Sequence, residues 1–206
     1  MKNIVLLLGI ALLLSISASA SPIQITDCWV AWQFSVLGND FTNGNWTFGE
    51  VFVPNGNIAI DLLGYYRSGD GFNSPHPVGI FDVFGNLVVA TVIDNTSHYG
   101  SSQFVFNQVP QVTLMAGMPY IVEGVSNTDP YTWNDPGFQV WPGITVIGNN
   151  WVLNNGLNFN GMFVINDVAD GYWGPNFGAT PEPGSLVLFG TGLLGLVGTL
   201  RSRFVR

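Results

Sequence analysis

The sequence predicts an all-β domain, an antiparallel β-sandwich of the jelly-roll or a related type, between a signal peptide and a C-terminal transmembrane helix. The middle of the chain is a series of short apolar runs rich in β-branched and aromatic residues, and Gly, Asn, Asp or Pro bounds each run. Helical apolar spacing is missing from that region. Many short strands at such spacing are typical of sandwiches and barrels. The predicted strands cover residues 29–36, 46–53, 57–66, 78–83, 87–93, 103–107, 120–125, 144–147 and 162–165.

Residues 1–20 have the three parts of a secretory signal peptide. Lys2 supplies the positive charge, residues 4–14 form the apolar segment, and Ala18 and Ala20 form a small-residue cleavage site. Cleavage after Ala20 by signal peptidase leaves residues 21–180 as the exported domain.

The exported domain is strongly acidic. Of the 13 acidic residues only Glu182 lies outside residues 21–180, and of the five Lys and Arg residues only Arg67 lies inside them, so the domain carries a formal charge of −11. Nucleic acid is therefore not expected as a partner, because binding to phosphate needs Lys and Arg. Metal cations and neutral glycans stay open. Cys28 is the sole cysteine, which excludes an intramolecular disulfide, and we predict a buried structural thiol.

Two turns inside the domain are predicted from their residues. Gly85-Asn86 joins two apolar runs, and this pair supplies the positive φ angles of a tight β-hairpin. Residues 112–122 offer a second strand, turn and strand around Ala116-Gly117.

The last residues of the chain, 181–206, combine a short motif, an apolar segment and a basic end. The motif is Pro181, Glu182 and Pro183, the uncharged apolar segment is 185–200, and the basic residues are Arg201, Arg203 and Arg206. A helix over 185–200 would be about 24 Å long, against a hydrocarbon core of about 30 Å that can thin locally. The arginines predict a cytoplasmic C-terminus, which places the domain outside the inner membrane.

This order of parts resembles the PEP-CTERM sorting signal of exported bacterial proteins, which is similar in layout to the LPxTG signals read by sortases. The resemblance implies that a membrane-embedded exosortase recognises the Pro-Glu-Pro motif and processes the protein. It also implies a membrane-anchored precursor, a cell-surface or extracellular product, and a setting of biofilm and exopolysaccharide, with exopolysaccharide as a further partner.

A second resemblance covers roughly residues 46–125. Leu63-Gly64, Asp70-Gly71, His76 with Val78-Gly79-Ile80, and 114–120 look like a pattern of exported β-sandwich domains that often precede PEP-CTERM tails. This resemblance implies a fold and an export route, and no reaction.

The chain is not expected to be an enzyme. It has two histidines, His76 and His98, and neither a G-x-S-x-G nor an H-E-x-x-H motif. His76 is interpreted as a loop imidazole bonded to the backbone, and the acidic residues as solvated loop residues. A secreted hydrolase with paired carboxylates stays the less favoured alternative, because such acids can be far apart in sequence.

Calcium is the one cofactor that the residues suggest. Residues 68–73, 127–129 and 166–171 are oxygen-rich turns, and hard cations prefer oxygen ligands. Asp70 and Asn73 are the first choice for such a site. Plain turn chemistry is the alternative, since tight turns select the same residue types.

Aromatic residues between 131 and 173 form a candidate glycan-binding set, with Trp133, Trp141 and Trp151 as its chosen members. Their alternative role is the core of the sandwich. Trp133, in a polar loop, is expected to be the most exposed. The leading function is thus a non-enzymatic surface or matrix protein sorted by an exosortase, and the alternative is a carbohydrate-binding module.

Overall fold

A computed structural model describes residues 28–36, 38–69, 71–97, 99–100, 103–133, 137–153, 156–164 and 171–180. All regular elements in those ranges are β-strands, which confirms the all-β prediction. No helix that could span a membrane occurs in these ranges. The predicted signal peptide, the sorting motif, the transmembrane helix over 185–200 and the basic tail lie outside the described residues.

Fifteen strands are described. They are β1 (Trp29–Val30), β2 (Trp32–Phe34), β3 (Asn39–Phe41), β4 (Trp46–Pro54), β5 (Ile58–Tyr66), β6 (His76–Asp82), β7 (Leu87–Ile93), β8 (Tyr99–Gly100), β9 (Phe104–Leu114), β10 (Tyr120–Val125), β11 (Tyr131–Trp133), β12 (Phe138–Val140), β13 (Ile144–Leu153), β14 (Tyr172–Trp173) and β15 (Pro175–Ala179). Residues 162–164, predicted as part of a strand, form none.

Two five-stranded antiparallel sheets build the domain. The first has the order β1-β15-β5-β9-β8, and the second has the order β13-β4-β10-β6-β7. Two small sheets, β14-β11-β3 and β12-β2, are also described. Most neighbours in the large sheets are distant in sequence, so the fold depends on long-range pairing.

The two large sheets pack face to face on one apolar core. The ring of Phe52 on β4 lies 4.5 Å from that of Phe177 on β15. A Cβ added to Gly124 on β10 would come within 3.0 Å of Tyr65 on β5, so the sheets approach closely there. At one side, Asn107 Nδ2 on β9 donates to Val92 O on β7 at 2.7 Å. This two-layer arrangement fits the predicted sandwich.

A segment formed by residues 156–164, here called the strap, covers the outer face of the second sheet. Three of its apolar side chains, Leu157, Phe159 and Met162, pack on a second apolar cluster formed by Val51, Phe81 and Ile121. Asn150 Nδ2 on β13 donates to the strap carbonyls of Gly161 and Phe163 at 2.9 and 3.0 Å. The second sheet therefore buries side chains on both faces.

The predicted hairpin at Gly85-Asn86 is confirmed. It joins the antiparallel strands β6 and β7, and Gly85 has a φ of 82°. Asp82 accepts bonds from the backbone N–H groups of Phe84 and Asn86 and from the Asn86 amide, each at 2.9 Å. The Asn86 side-chain bond is the main cause that lowers the pKa of Asp82.

The predicted strand, turn and strand over 112–122 is also present, but its two strands belong to different sheets. β9 pairs with β5, whereas β10 pairs with β4 and β6. Gly117 lies between them with a φ of 74°, and its N–H donates to Pro54 O at 2.9 Å. The turn therefore carries the chain from one layer to the other.

Candidate functional site

Aromatic rings gather around Tyr172 at one end of the second sheet. The ring of Trp151 on β13 lies 4.9 Å from that of Tyr172, and the rings of Tyr131 and Trp133 on β11 lie 5.8 and 6.0 Å from it. Pairing of β11 with β14 brings Tyr172 directly opposite Trp133. A surface depression, here called the aromatic cleft, is lined by Asn43, Trp46, Phe48, Tyr131, Trp151 and Tyr172.

Asn43 fixes the edge of the aromatic cleft. Its Oδ1 accepts a bond from Tyr131 OH at 2.6 Å and from Trp46 Nε1 at 2.9 Å. Burial raises the pKa of the Tyr131 phenol, with a smaller contribution from Tyr172, so this hydroxyl stays a donor at neutral pH. Both polar aromatic side chains are thereby held in one orientation, while the Asn43 amide NH₂ faces an exposed position.

The three predicted tryptophans separate into two places. Trp133 and Trp151 both contact Tyr172, whereas Trp141 stacks on Trp29 with ring centroids 4.0 Å apart. That second pair borders a groove where Gln33 Nε2 donates to Gln139 Oε1 at 3.0 Å. All three tryptophans are half-buried, so Trp133 does not stand out as the exposed one.

Next to the aromatic cleft lies a set of buried polar side chains, Glu50, Tyr65 and Asn149, here called the interior polar group. Glu50 and Asn149 face each other across β4 and β13, one alternate position along from Phe48 and Trp151, which line the cleft. Two residues of strand advance about 6.6 Å. Burial raises the pKa of Glu50 well above its ordinary value.

Four acidic residues contradict the prediction that the acids are solvated loop residues. Glu50, Asp61, Glu123 and Asp129 are buried, and the first three lie in strands β4, β5 and β10. Glu123 Oε1 accepts the backbone N–H of Asn160, in the strap, at 2.7 Å. Burial raises the pKa of Glu123 to about 8, although this bond acts in the opposite direction. A Glu inside an apolar run was the sequence signal for Glu50 and Glu123.

His76 is the first residue of β6 and is fully buried, not a loop residue. As predicted it bonds to the backbone, with Nδ1 2.8 Å from Val125 O, and its Nε2 also lies 3.0 Å from Asp129 Oδ2. Tyr65 stacks flat on the imidazole with ring centroids 4.2 Å apart. Burial lowers the pKa of His76, whereas the oxygen acceptors at both nitrogens favour the charged ring.

Because the Val125 carbonyl occupies Nδ1, that nitrogen has no place for a nucleophile. Both ring nitrogens of His76 are thus within hydrogen-bonding distance of an oxygen atom of the protein. His98 lies outside the described residues.

The Asp129 carboxylate accepts several hydrogen bonds from the loop that precedes β6. It accepts the backbone N–H groups of Asn73 and Ser74, the Asn73 amide and the Ser74 hydroxyl, in addition to the His76 contact. Burial acts to raise the pKa of Asp129, but the bonds from Asn73 and Ser74 outweigh it and hold the pKa below its ordinary value. The 127–129 turn thus supplies a fixed anion to residues 73–76.

The predicted calcium ligands are only partly placed. Asn73 directs its amide NH₂ to Asp129 at 2.6 Å, and Asp70 lies outside the described residues. In the described ranges, no three His, Cys, Asp or Glu side chains are grouped so that they could hold a metal. The site at Asp70 and Asn73 stays a prediction.

Thr180 is the residue directly before the Pro-Glu-Pro motif, and it is bound to the fold. Its N–H donates to Asp61 Oδ1 at 2.7 Å, and its hydroxyl bonds to Asp61 Oδ2. Pro181 follows immediately. A model of the PEP-CTERM protein-sorting motif matches residues 179–203. The chain carries a PEP-CTERM protein-sorting motif. A comparison with curated proteins found no match to the chain.

The PEP-CTERM match confirms the resemblance seen in the tail. It covers Pro181, Glu182, Pro183, Arg201 and Arg203, and stops short of Arg206. The motif indicates sorting by an exosortase and implies a secreted, membrane-anchored precursor.

Proposed function

We propose that this chain is an exported, non-enzymatic surface or matrix protein, a β-sandwich that an exosortase recognises at Pro181-Glu182-Pro183 and processes there. The match of the PEP-CTERM motif to residues 179–203 carries this proposal. The Asp61–Thr180 contact supports it, because it holds in the fold the residue that immediately precedes the motif in the sequence. The product is displayed on the cell surface or released into an exopolysaccharide matrix.

Intact mass tests the processing step. In a host that contains an exosortase, we expect a mature chain that begins at Ser21 and lacks Arg206, because the C-terminal segment is removed. Replacing Pro181 and Pro183 by alanine should leave the full C-terminus in the membrane fraction. Deletion of the exosortase gene is the control and should have the same effect on the unaltered chain. A mature chain that ends at Arg206 in the competent host would refute the proposal.

Carbohydrate binding at the aromatic cleft is the second candidate function. The convergence of Trp133 and Trp151 on Tyr172, with partly accessible rings and the Asn43 amide at the edge, favours it. Sugars stack their C–H faces on aromatic rings and bond their hydroxyls to amides, and the acidic domain suits a neutral glycan better than an anionic one.

A glycan array followed by titration tests this second function. Trp151→Ala, which removes a ring that lines the cleft, should weaken binding about tenfold or more, a loss of roughly 1.4 kcal/mol. Trp133→Ala, which removes the ring packed on Tyr172, should weaken it to a smaller extent. Trp141→Ala is the matched control, since Trp141 stacks on Trp29 away from the cleft. Equal losses in all three variants, or binding that survives Trp151→Ala, would exclude the cleft as the binding site.

A further inference from the structure

The interior polar group leaves five buried polar atoms without a hydrogen-bond partner. They are both carboxylate oxygens of Glu50, both amide atoms of Asn149 and the hydroxyl of Tyr65. All three side chains are fully buried. Buried polar groups in folded proteins are nearly always bonded, so such a group at one place needs an explanation.

These atoms come from both large sheets, and those of Asn149 and Tyr65 lie beside one backbone segment. Glu50 and Asn149 are directly opposed on neighbouring strands, so their Cβ atoms are about 4.5–5.5 Å apart. A Cβ on Gly171 would lie 2.3 Å from Asn149 Nδ2, and one on Gly174 would lie 2.6 Å from Tyr65 OH. The same short segment therefore borders both the amide and the phenol.

The pKa of the Tyr65 phenol is affected by nearby charged groups. Burial raises the pKa of Tyr65 most, and the charges of Asp129, Tyr131 and Glu50 raise it further. Geometry agrees, because an added Cβ on Gly124 of β10 would lie 3.0 Å from Tyr65 Cε2. Gly124 is paired with Phe48, two positions from Glu50 on β4. Together the three side chains present oxygen atoms from a carboxylate, an amide and a phenol.

In the part of the chain that the structure describes, no basic side chain forms an ion pair with the Glu50 carboxylate. Arg67 is the one Lys or Arg in residues 21–180, and it lies beyond the end of β5 at a half-exposed position. His76 is held by Asp129 and the Val125 carbonyl. An ionised carboxylate that is buried without a partner is very unfavourable, so either a proton or an external cation must compensate it.

We propose that Glu50, Asn149 and Tyr65 hold a hard divalent cation of the calcium type between the two sheets. The donor set is oxygen-based and includes a carboxylate that can bind through both oxygens, as calcium sites often do, and contains neither thiolate nor imidazole. Backbone carbonyls or water would complete the coordination. The acidic domain, exported from the cytoplasm, favours the uptake of such a cation.

Thermal unfolding and terbium luminescence test this site on the full exported protein. With 10 mM CaCl₂ instead of EDTA, Tm should rise by roughly 4–8 °C, if affinity is in the millimolar to submillimolar range of extracellular calcium sites. Tb³⁺ should give emission on excitation of tyrosine, since Tyr65 is itself a ligand, and excess Ca²⁺ should remove that emission.

Glu50→Gln should abolish the calcium shift and the terbium emission while its Tm in EDTA stays at or above that of the parent, which shows that it is folded. Glu123→Gln is the matched control, a buried acid on the opposite face of the same sheet, and should retain both signals. Tyr65→Phe should reduce the emission and weaken calcium binding several-fold.

Three results would overturn the proposal. One is terbium emission that persists in Glu50→Gln. The second is loss of the signals in Asp70→Asn but not in Glu50→Gln, which would place the cation in the 68–73 turn. The third is neither emission nor a calcium-dependent Tm, which would mean that Glu50 is compensated by a proton.

Discussion

Asp129→Ala is expected to lower the free energy of unfolding of the domain by about 3–5 kcal/mol, because it removes the acceptor of an entire loop. The variant leaves the N–H groups of Asn73 and Ser74, the Ser74 hydroxyl and His76 Nε2 without the oxygen that they share. Asp129 and His76 are both buried, so water cannot replace the carboxylate without opening the structure. Urea unfolding at pH 7 measures the loss.

Asp82→Ala provides the comparison for Asp129→Ala. Asp82 also accepts three bonds from its own turn, yet these bonds are exposed to water. We expect a much smaller loss there than in Asp129→Ala, because water can replace the carboxylate. Similar losses in the two variants would show that burial of the Asp129 network contributes little.

The stability of the domain is expected to fall as the pH rises from about 5 to 8, the reverse of the usual behaviour of acidic residues. The cause is Glu123, whose pKa of about 8 in the folded protein lies far above its ordinary value of 4.5. Between these two values the folded state binds the proton and the unfolded state does not, so each step up in pH favours unfolding. The slope from Glu123 alone is about 1.4 kcal/mol per pH unit, so its contribution over these three units is at most about 4 kcal/mol. His76, whose pKa is lowered in the folded state, acts in the opposite direction below its ordinary value of 6.5.

Glu123→Gln should remove this part of the pH dependence and should make the domain more stable than the parent at pH 8. Its amide keeps an oxygen for the Asn160 N–H and carries no charge at any pH. Urea unfolding of both proteins at pH 5, 6.5 and 8 in EDTA compares the slopes. Glu50 acts in the same direction, so a smaller slope should persist in the variant. An unchanged slope would contradict the assignment to Glu123.

Strand positions were the most predictable part of the fold. The alternation of apolar and polar residues and the turn residues that bound each run are local properties of the sequence. The strands β4, β5, β6, β7 and β10 accordingly begin and end close to the predicted bounds. The hairpin at Gly85 was predictable for the same reason, because its turn is determined by residues within four positions. The layer in which each strand lies is not local information, which is why 112–122 gave no sign that β9 and β10 separate.

β15 shows what the pattern could not reveal. Its five residues include Pro175 and Gly178, which are poor strand formers. Pro175 is tolerated as the first residue of the strand, and Gly178 is required because an added Cβ would lie 2.3 Å from Trp29 O on β1. The close approach of two backbones is a tertiary property, so the sequence pattern predicts no strand over residues 175–179.

The pattern over residues 46–125 acquires a structural interpretation. Gly64 lies under the Phe106 ring, which an added Cβ would approach to 2.3 Å, and Gly79 lies under the strap beside Leu157. His76 Nδ1 lies 2.8 Å from Val125 O, and Asp82 accepts the Phe84 N–H in its own turn. Tyr120 OH accepts the Met115 N–H at 3.1 Å. These residues therefore have structural roles in the fold.

The candidate site was predictable only in its residue types. Aromatic residues indicated ring-lined surfaces, but only pairing of β11 with β14 brings Trp133 to Tyr172 and leaves Trp141 elsewhere. Glu50 and Asn149 are separated by about a hundred positions, and they meet because β13 pairs with β4. Register across distant strands decides both outcomes.

The position of β15 ties folding to export. β15 lies between β1 and β5, so the first sheet has a gap until residues 175–179 have reached the outside. We expect the first sheet to stay incomplete for nearly the whole of translocation, because the N-terminal strand β1 pairs with β15, which is close to the C-terminal end of the domain. A truncated chain would lack this closing strand together with its sorting motif. The strand that completes the sheet and the sorting motif are therefore translocated one directly after the other.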